Sequence, residues 1–357
     1  MQAIVVRQTG GPEKLVLETL PDPTPGPRQI IIAIAACGVC FHDVVTRNGT
    51  LKAGISLPMI PGHEVSGLVV AVGRDVTHFC IGDRVAATQR SHICGHCAHC
   101  RSAREPLCDD AQFMGDAALN GGYADYVAVG IDNVTRVPDG VELESAAISA
   151  CAIGTALNAI RDIGRVRLSE TILVTGAGGG VGIHAVQIAR ASGAIVLAQT
   201  TSAAKVAAIK AAGAHHVVLG GRDEDFSPQV KNLTKGAGVA VVIDTVGTPL
   251  FHPTRRALAK AGRWVLVGQL TGDFVPFNPA QLFLKSISML SATSCTRQHL
   301  VDVLDLLARG AIQPVIAQTL PLAQASAAHA LIETGSVLGR ILLRPGTERP
   351  EAQRPGA

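Results

Sequence analysis

The stretch TILVTGAGGGVGIHAVQIARASG (171–193) decides the fold. TILVTG (171–176) is a compact apolar run that ends in glycine and reads as a strand. VGIHAVQIARASG (181–193) has helical spacing, with Val181, Ala185, Ile188 and Ala189 on one face. Glycines at 176, 178, 179, 180 and 182 fill the turn between them. A glycine-rich turn there lets backbone N–H groups approach a pyrophosphate at the helix N-terminus. In frame the motif reads Ala177-x-Gly179-x-x-Gly182, with alanine where the dinucleotide fingerprint has its first glycine.

The same alternation continues downstream. AIVLAQ (194–199) is a strand, and SAAKVAAIKAAG (202–213) a helix running from an N-cap at Ser202 to a stop at Gly213. HVVLG (216–220), VAVVID (239–244), GRWVLVG (262–268) and ISMLSAT (287–293) are further strands. Continuously apolar strands alternating with helices predict an α/β fold: a parallel sheet of about six strands, covered on both faces, the size of a complete Rossmann dinucleotide-binding domain.

Upstream the texture differs. IIIAIAACG (30–38) and SGLVVAVG (66–73) read as short strands, and Pro21, Pro23, Pro25 and Pro27 as a stiff surface connection. An irregular, mostly β domain is expected through about residue 150. After residue 294, RQHLVDVLDLLARG (297–310) is an amphipathic helix and GRILLRP (339–345) a final strand, too little for a third domain and expected to return to the first. The polar tail from Gly346 is expected to be mobile.

The chain has 357 residues, 47% hydrophobic and 17% charged, which supports two packed cores and argues against disorder. A net charge of +3 without a basic block does not suggest a nucleic-acid or anionic-membrane partner. No apolar run is long enough to span a bilayer and no secretory signal is visible, so a cytoplasmic protein is expected. Nine cysteines are too few for a disulfide scaffold, and four crowd into 94–108.

Those four form CGHCAHCRSAREPLC (94–108), with Cys94, Cys97, Cys100 and Cys108 at C-x2-C-x2-C-x7-C spacing. Four thiolates on one loop close a tetrahedron around zinc and leave no open position, which predicts a structural site. An iron–sulfur cluster or a nucleic-acid-binding zinc ribbon are the competing readings, and His92, His96 and His99 are substitute ligands. PGHEVSGLVVAVG (61–73) places His63 beside Glu64, either a metal-binding pair or a polar surface turn. CGVCFHD (37–43) offers Cys37 and Cys40 at redox-pair spacing, followed by His42 and Asp43. Cys151, in AAISACAIGTAL (146–157), reads alone as a small core residue.

In this order the motifs resemble the zinc-containing medium-chain alcohol dehydrogenase family over about residues 1–345. GHEVSGLVVAVGRDV (62–76) fits that family's GHE-x2-G-x5-G-x2-V signature at every fixed position, and the cysteine loop fits its structural zinc lobe. The resemblance implies a GroES-like catalytic domain over 1–151 and 295–357, with the zinc lobe at 92–110, and a Rossmann domain over 152–294. It implies two zinc ions per chain: a catalytic one on Cys40, His63 and Cys151, with Glu64 as alternate ligand, and a structural one on Cys94, Cys97, Cys100 and Cys108. Asp43 would orient His63, Thr155 would sit near the nicotinamide, and Arg340 would approach the cofactor phosphates. Gly176, Gly179, Gly180, Val181, Gly182, Val267 and Gly268 complete the implied cofactor site. A homodimer or homotetramer is expected by the same resemblance. The TTS…K segment (200–205) and VVIDTVGTP (241–249) look most like members that include bacterial and archaeal alcohol dehydrogenases and acryloyl-CoA reductases.

One departure stands out. The family commonly carries Ser or Thr two residues after the first ligand, where this chain has His42, a candidate proton shuttle. Cofactor choice is read from the end of the second strand. No acidic residue stands there; Gln199, Thr200, Thr201 and Ser202 do, with Lys205 one turn on. Hydroxyls and a cation favour NADP(H) over NAD(H), the alternative being that Lys205 is a solvated helix charge. The expected activity is zinc-dependent hydride transfer between NADP(H) and a small-molecule alcohol, ketone or aldehyde; the alternative is an NADPH-dependent 2-enoyl or enone reductase. A non-catalytic NADPH-binding protein is disfavoured by the open zinc site.

Overall fold

The computed structural model describes residues 1–51, 54–221 and 224–346. Two large sheets organise it. The first has six parallel strands in the order His216–Leu219, Ile195–Thr200, Thr171–Thr175, Val239–Asp244, Leu258–Leu266, Ser288–Ser291. The order reverses beside Thr171–Thr175, so the cofactor crevice opens at that strand's carboxyl end. The glycine turn follows it directly and leads into the helix Gly180–Ala191. That helix buries Ile183, Ala185, Val186, Ile188 and Ala189 against the sheet, each larger side chain contributing about 1.5–3 kcal/mol. Val181, expected on this buried face, is half-buried and lines the crevice instead. The helix predicted from Ser202 starts as a 3-10 turn at Ala203–Lys205 and runs as α-helix over Val206–Ala211; the Ser202 side chain makes no cap hydrogen bond.

The second sheet has seven strands. Gln29–Val39 is its spine, pairing antiparallel with Glu64–Val72, Tyr126–Gly130 and the final strand Arg340–Arg344. The expected return of the C-terminal segment is therefore a strand pairing, Ile341 to Leu343 against Val39 to Cys37. The tail beyond Gly346 lies outside the described residues.

The returning segment is laced onto the glycine turn. Gly339 N–H donates to Gly178 O at 3.1 Å, and Arg340 N–H to Val315 O at 2.9 Å. Gln187 and Gln313 exchange two hydrogen bonds of 2.9 and 2.8 Å. His184 is fully buried in the same helix. Its Nδ1–H donates to Gly180 O at 2.6 Å and its Nε2 accepts from Val315 N–H at 3.0 Å. Both ring nitrogens are thus used in the neutral form, and burial pushes the imidazole down to about 4.

His184 carries a stability consequence with a definite sign. An unfolded histidine takes up its proton near pH 6.5, the folded one only near 4, so stability is complete above 6.5 and falls as pH drops toward 4. Denaturant titrations at pH 6.5 and 5 should differ by about 2 kcal/mol more in the wild type than in His184→Gln.

Candidate active site

Cys40 is the N-cap of the helix Phe41–Arg47: its Sγ accepts from His42 N–H, while its own N–H donates to Asp43 Oδ2 at 2.9 Å. His63 stands just before the strand Glu64–Val72, after a turn at Gly62 with φ +97°. A Cβ at Gly62 would lie 2.4 Å from the Tyr123 ring, so only glycine fits. Cys151 sits in a π-helical turn, Ser149–Gly154, and four residues on Thr155 faces the same cleft. The ligand atoms of Cys40, His63, Glu64 and Cys151 all lie within 4.8 Å of one another. The two sulfurs are 3.9 Å apart, against about 3.8 Å for a tetrahedron with Zn–S of about 2.3 Å. This donor set, two thiols and an imidazole with a carboxylate behind, fits zinc.

A hydrogen-bonded chain orients His63. Its Nδ1–H donates to Asp43 Oδ1 at 3.1 Å, which leaves Nε2 free for a metal. Tyr123 O–H donates to Asp43 Oδ2 at 3.1 Å, and His329 Nε2 lies 3.1 Å from the same hydroxyl. Burial lowers the His63 imidazole, but the facing Asp43 carboxylate outweighs it and holds the ring well above its ordinary value. Burial likewise raises Asp43, yet the His63 charge holds it below the carboxylate range.

Glu64 is wholly buried, which excludes the surface-turn reading of the His-Glu pair. Burial pushes its carboxyl up to about 7 against the pull of Arg340. Arg340 Nη2 lies 2.6 Å from Glu64 Oε1, and Nε donates to Oε2 at 3.1 Å. Nη2 also reaches Cys40 Sγ at 3.6 Å and Cys151 Sγ at 3.7 Å. The guanidinium covers Gly180, where a Cβ would be 2.5 Å from Nη1. Arg340 therefore lines the cofactor crevice with its charge committed to Glu64 rather than free for phosphate.

His42 Nε2 is 2.7 Å from Asp116 Oδ1, and its ring lies 4.8 Å from that of Phe113, tilted by 42°. Cys37 is fully buried in the core, its Sγ directed to Gly38 O, so it forms no redox pair with Cys40. In the 94–108 loop the four cysteine sulfurs lie within 4.8 Å of one another, and backbone N–H groups of Cys94, Cys97 and Cys100 point at neighbouring sulfurs. Hydrogen bonds led by that of Cys100 N–H bring the Cys97 thiol down to about 6. None of His92, His96 and His99 joins this cluster; His92 faces Asp110 at 3.4 Å.

One cleft of about 730 Å³ joins these parts. Cys40, His42, His63, Cys151 and Thr155 line one end. Gly176, Gly179, Gly180, Val181, Gly182, Thr200, Thr201, Lys205, Val267 and Gly268 line the other. Asp43 and Glu64 stand behind the wall, and Ser202 is outside it. Lys205 is not a solvated charge: it is nearly buried, and Nζ donates to Gly335 O at 2.7 Å and Val337 O at 2.6 Å. Asn48 and Phe113 also line the cleft. Asp116, Tyr123 and His329 escaped the sequence reading because no motif marks them.

Fold and cleft define a chain of the medium-chain dehydrogenase class, and the chain belongs to the zinc-binding alcohol dehydrogenase family. Residues 26–139 match the alcohol dehydrogenase GroES-like domain and 180–309 the zinc-binding dehydrogenase domain. It is 33% identical over 346 residues to an acryloyl-coenzyme A reductase of Sulfurisphaera tokodaii, covering 97% of this chain and all of that one. The crystal structure of AibC is similar at 41% identity and TM-score 0.89, over 97% of this chain and 96% of that one. The cobalt- and zinc-bound alcohol dehydrogenase of Pyrobaculum aerophilum superposes at TM-score 0.86 with 30% identity, over 97% and 99% of the two chains.

Metal analysis of the purified chain should give two equivalents of zinc, falling to one in Cys151→Ala. Asp43→Ala should weaken retention of that same equivalent by roughly 10–100-fold in chelator competition, because His63 loses its orienting acceptor.

Proposed function

We propose that the chain is a zinc-dependent, NADP(H)-linked oxidoreductase that interconverts an alcohol and its ketone or aldehyde. The observation that carries this reading is the donor set of Cys40, His63 and Cys151 at the end of the cleft that also holds the glycine turn. Cys40, His63 and Cys151 would hold the catalytic ion, and Cys94, Cys97, Cys100 and Cys108 a structural one. When bound, the ion supplies Lewis acidity toward a substrate oxygen, and the nicotinamide a hydride. The protein's own part is positional. Asp43 fixes the His63 tautomer, and Gln89 Nε2–H, 3.3 Å from Thr155 Oγ1, sets the hydroxyl beside Cys151. His42, anchored through Nε2 by Asp116, keeps Nδ1 without a partner among the described residues and is the group proposed to pass the proton.

The NADP(H) preference rests on the absence of a carboxylate at the end of the strand Ile195–Thr200, with Thr200 and Thr201 at the cleft. The proposed domain division, 1–151 with 295–357 and 152–294, is supported by the strands of the two large sheets, which fall on either side of it among the described residues. A homodimer or homotetramer is supported by the strand Ser288–Ser291 at the sheet's edge and by Phe274, Phe283 and Leu284, 98%, 67% and 75% exposed. Nine unpaired cysteines suit the cytoplasm.

A second reading, reduction of a C=C bond in a 2-enoyl thioester, is favoured by the 33% identity to the acryloyl-coenzyme A reductase. The two separate on 2-cyclohexenone with NADPH. Gas chromatography should show the allylic alcohol; the saturated ketone would transfer the assignment to C=C reduction. Cys151→Ala should abolish turnover with the fold intact by circular dichroism, and NADPH should exceed NADH in kcat/KM by at least about tenfold, or 1.4 kcal/mol.

A further inference from the structure

The proposed chemistry leaves one buried charge of the cleft unused. Arg90 begins the short strand Arg90–His92 and lines the same cavity as Cys40, His63 and Cys151. It is 7% exposed. Nη2 donates to Pro106 O at 2.8 Å, which tethers the cysteine lobe, but Nη1 is buried with no hydrogen-bond partner. No described carboxylate forms an ion pair with it; Cys295, Cys108 and Glu105, in that order, act on it only through their charge. Burial, the largest influence on this group, disfavours its charged form. Leaving a buried charged donor without a partner is costlier than leaving a neutral one, so such a group calls for a counter-charge.

The surroundings indicate where that counter-charge comes from. Arg90 Cζ lies 5.8 Å from the centre of the Phe113 ring, whose other neighbours are the rings of His42 at 4.8 Å and His63 at 4.9 Å. The half-partnered guanidinium and the metal-site imidazole thus both neighbour one aromatic ring. The cations of the cofactor end are already committed, Arg340 to Glu64 and Lys205 to two backbone carbonyls. The planar fork of an arginine matches a carboxylate in geometry and charge.

We propose that Arg90 is a substrate-binding residue and that the substrate is a short oxo-acid, with a carboxylate on Arg90 and its carbonyl at the metal site. The assignment rests on reading the cleft as a hydride-transfer site.

The test compares 4-oxobutanoate with butanal, NADPH being the reductant for both. The carboxylate substrate should have the higher kcat/KM by at least about tenfold, carried by KM. Arg90→Gln should collapse this ratio to within about twofold by raising KM for 4-oxobutanoate, Arg90→Lys should leave an intermediate ratio, and Glu105→Gln should keep it. Equal kcat/KM in the wild type overturns the proposal. So does a preference that survives in Arg90→Gln, which would assign it to the metal, or one lost equally in Glu105→Gln, which would make Arg90 a structural partner of the lobe. Butanal turnover without a preference sinks the proposal alone; turnover of neither compound sinks the hydride-transfer reading. Calorimetry then decides on binding: the wild type should bind glutarate at least about tenfold more tightly than glutaramide, and equal affinity overturns the proposal without needing any variant to fold.

Discussion

The ion pair between Arg340 and Glu64 is the constraint on which the rest of the site depends. Both side chains are buried, and the guanidinium also faces the sulfurs of Cys40 and Cys151. A pair so deeply buried is weak evidence for stability, because its desolvation offsets its attraction. Its value here is positional. Glu64 opens the strand that follows His63, and Arg340 opens the last strand, so the pair fixes two strand starts against the helix turn bearing Cys151. Removing either partner would leave a lone charge among the candidate metal donors.

The same arginine joins the two sheets. Gly339 is hydrogen-bonded to Gly178 of the glycine turn, and the Arg340 guanidinium lies against Gly180. The turn that suits a pyrophosphate and the donors that suit zinc are therefore separated by one side chain. His184 adds a second tie, since its neutral ring links the Gly180 carbonyl to Val315 of the returning segment. The guanidinium that covers the turn is thus the same one that faces the two sulfurs.

What the sequence disclosed follows the range of the forces involved. The six-stranded sheet was legible because each strand is an apolar run and each turn a glycine cluster, all local signals. The strand Val239–Asp244 matched its predicted ends, while Leu258–Leu266 began four residues before GRWVLVG because a register shift extends the pairing upstream. The cysteine loop was legible for the same reason, four donors within fifteen residues. Asp116 lies 74 residues from His42, and His329 lies 206 from Tyr123, so no spacing rule connects them. Arg90 carried no signal either, since an arginine in a polar-looking loop gives no hint of a buried, half-partnered guanidinium. Lys205 was placed at the cleft, but its carbonyl partners at Gly335 and Val337 come from the far end of the chain.

The π-helical turn at Ser149–Gly154 has a consequence of another kind. An α-helix closes each hydrogen bond after four residues and a π turn after five, so such a turn is a helix that has accommodated one extra residue. Ile153 N–H bonding to Ile148 O, five residues back, records that accommodation. Shortening the segment by one residue would yield a more regular helix and rotate everything beyond it by about 100°. Cys151 and Thr155 could then no longer face one cleft. The irregularity ties the length of this segment to the site, so an insertion or deletion that a surface helix would absorb would here turn Cys151 or Thr155 away from the cleft.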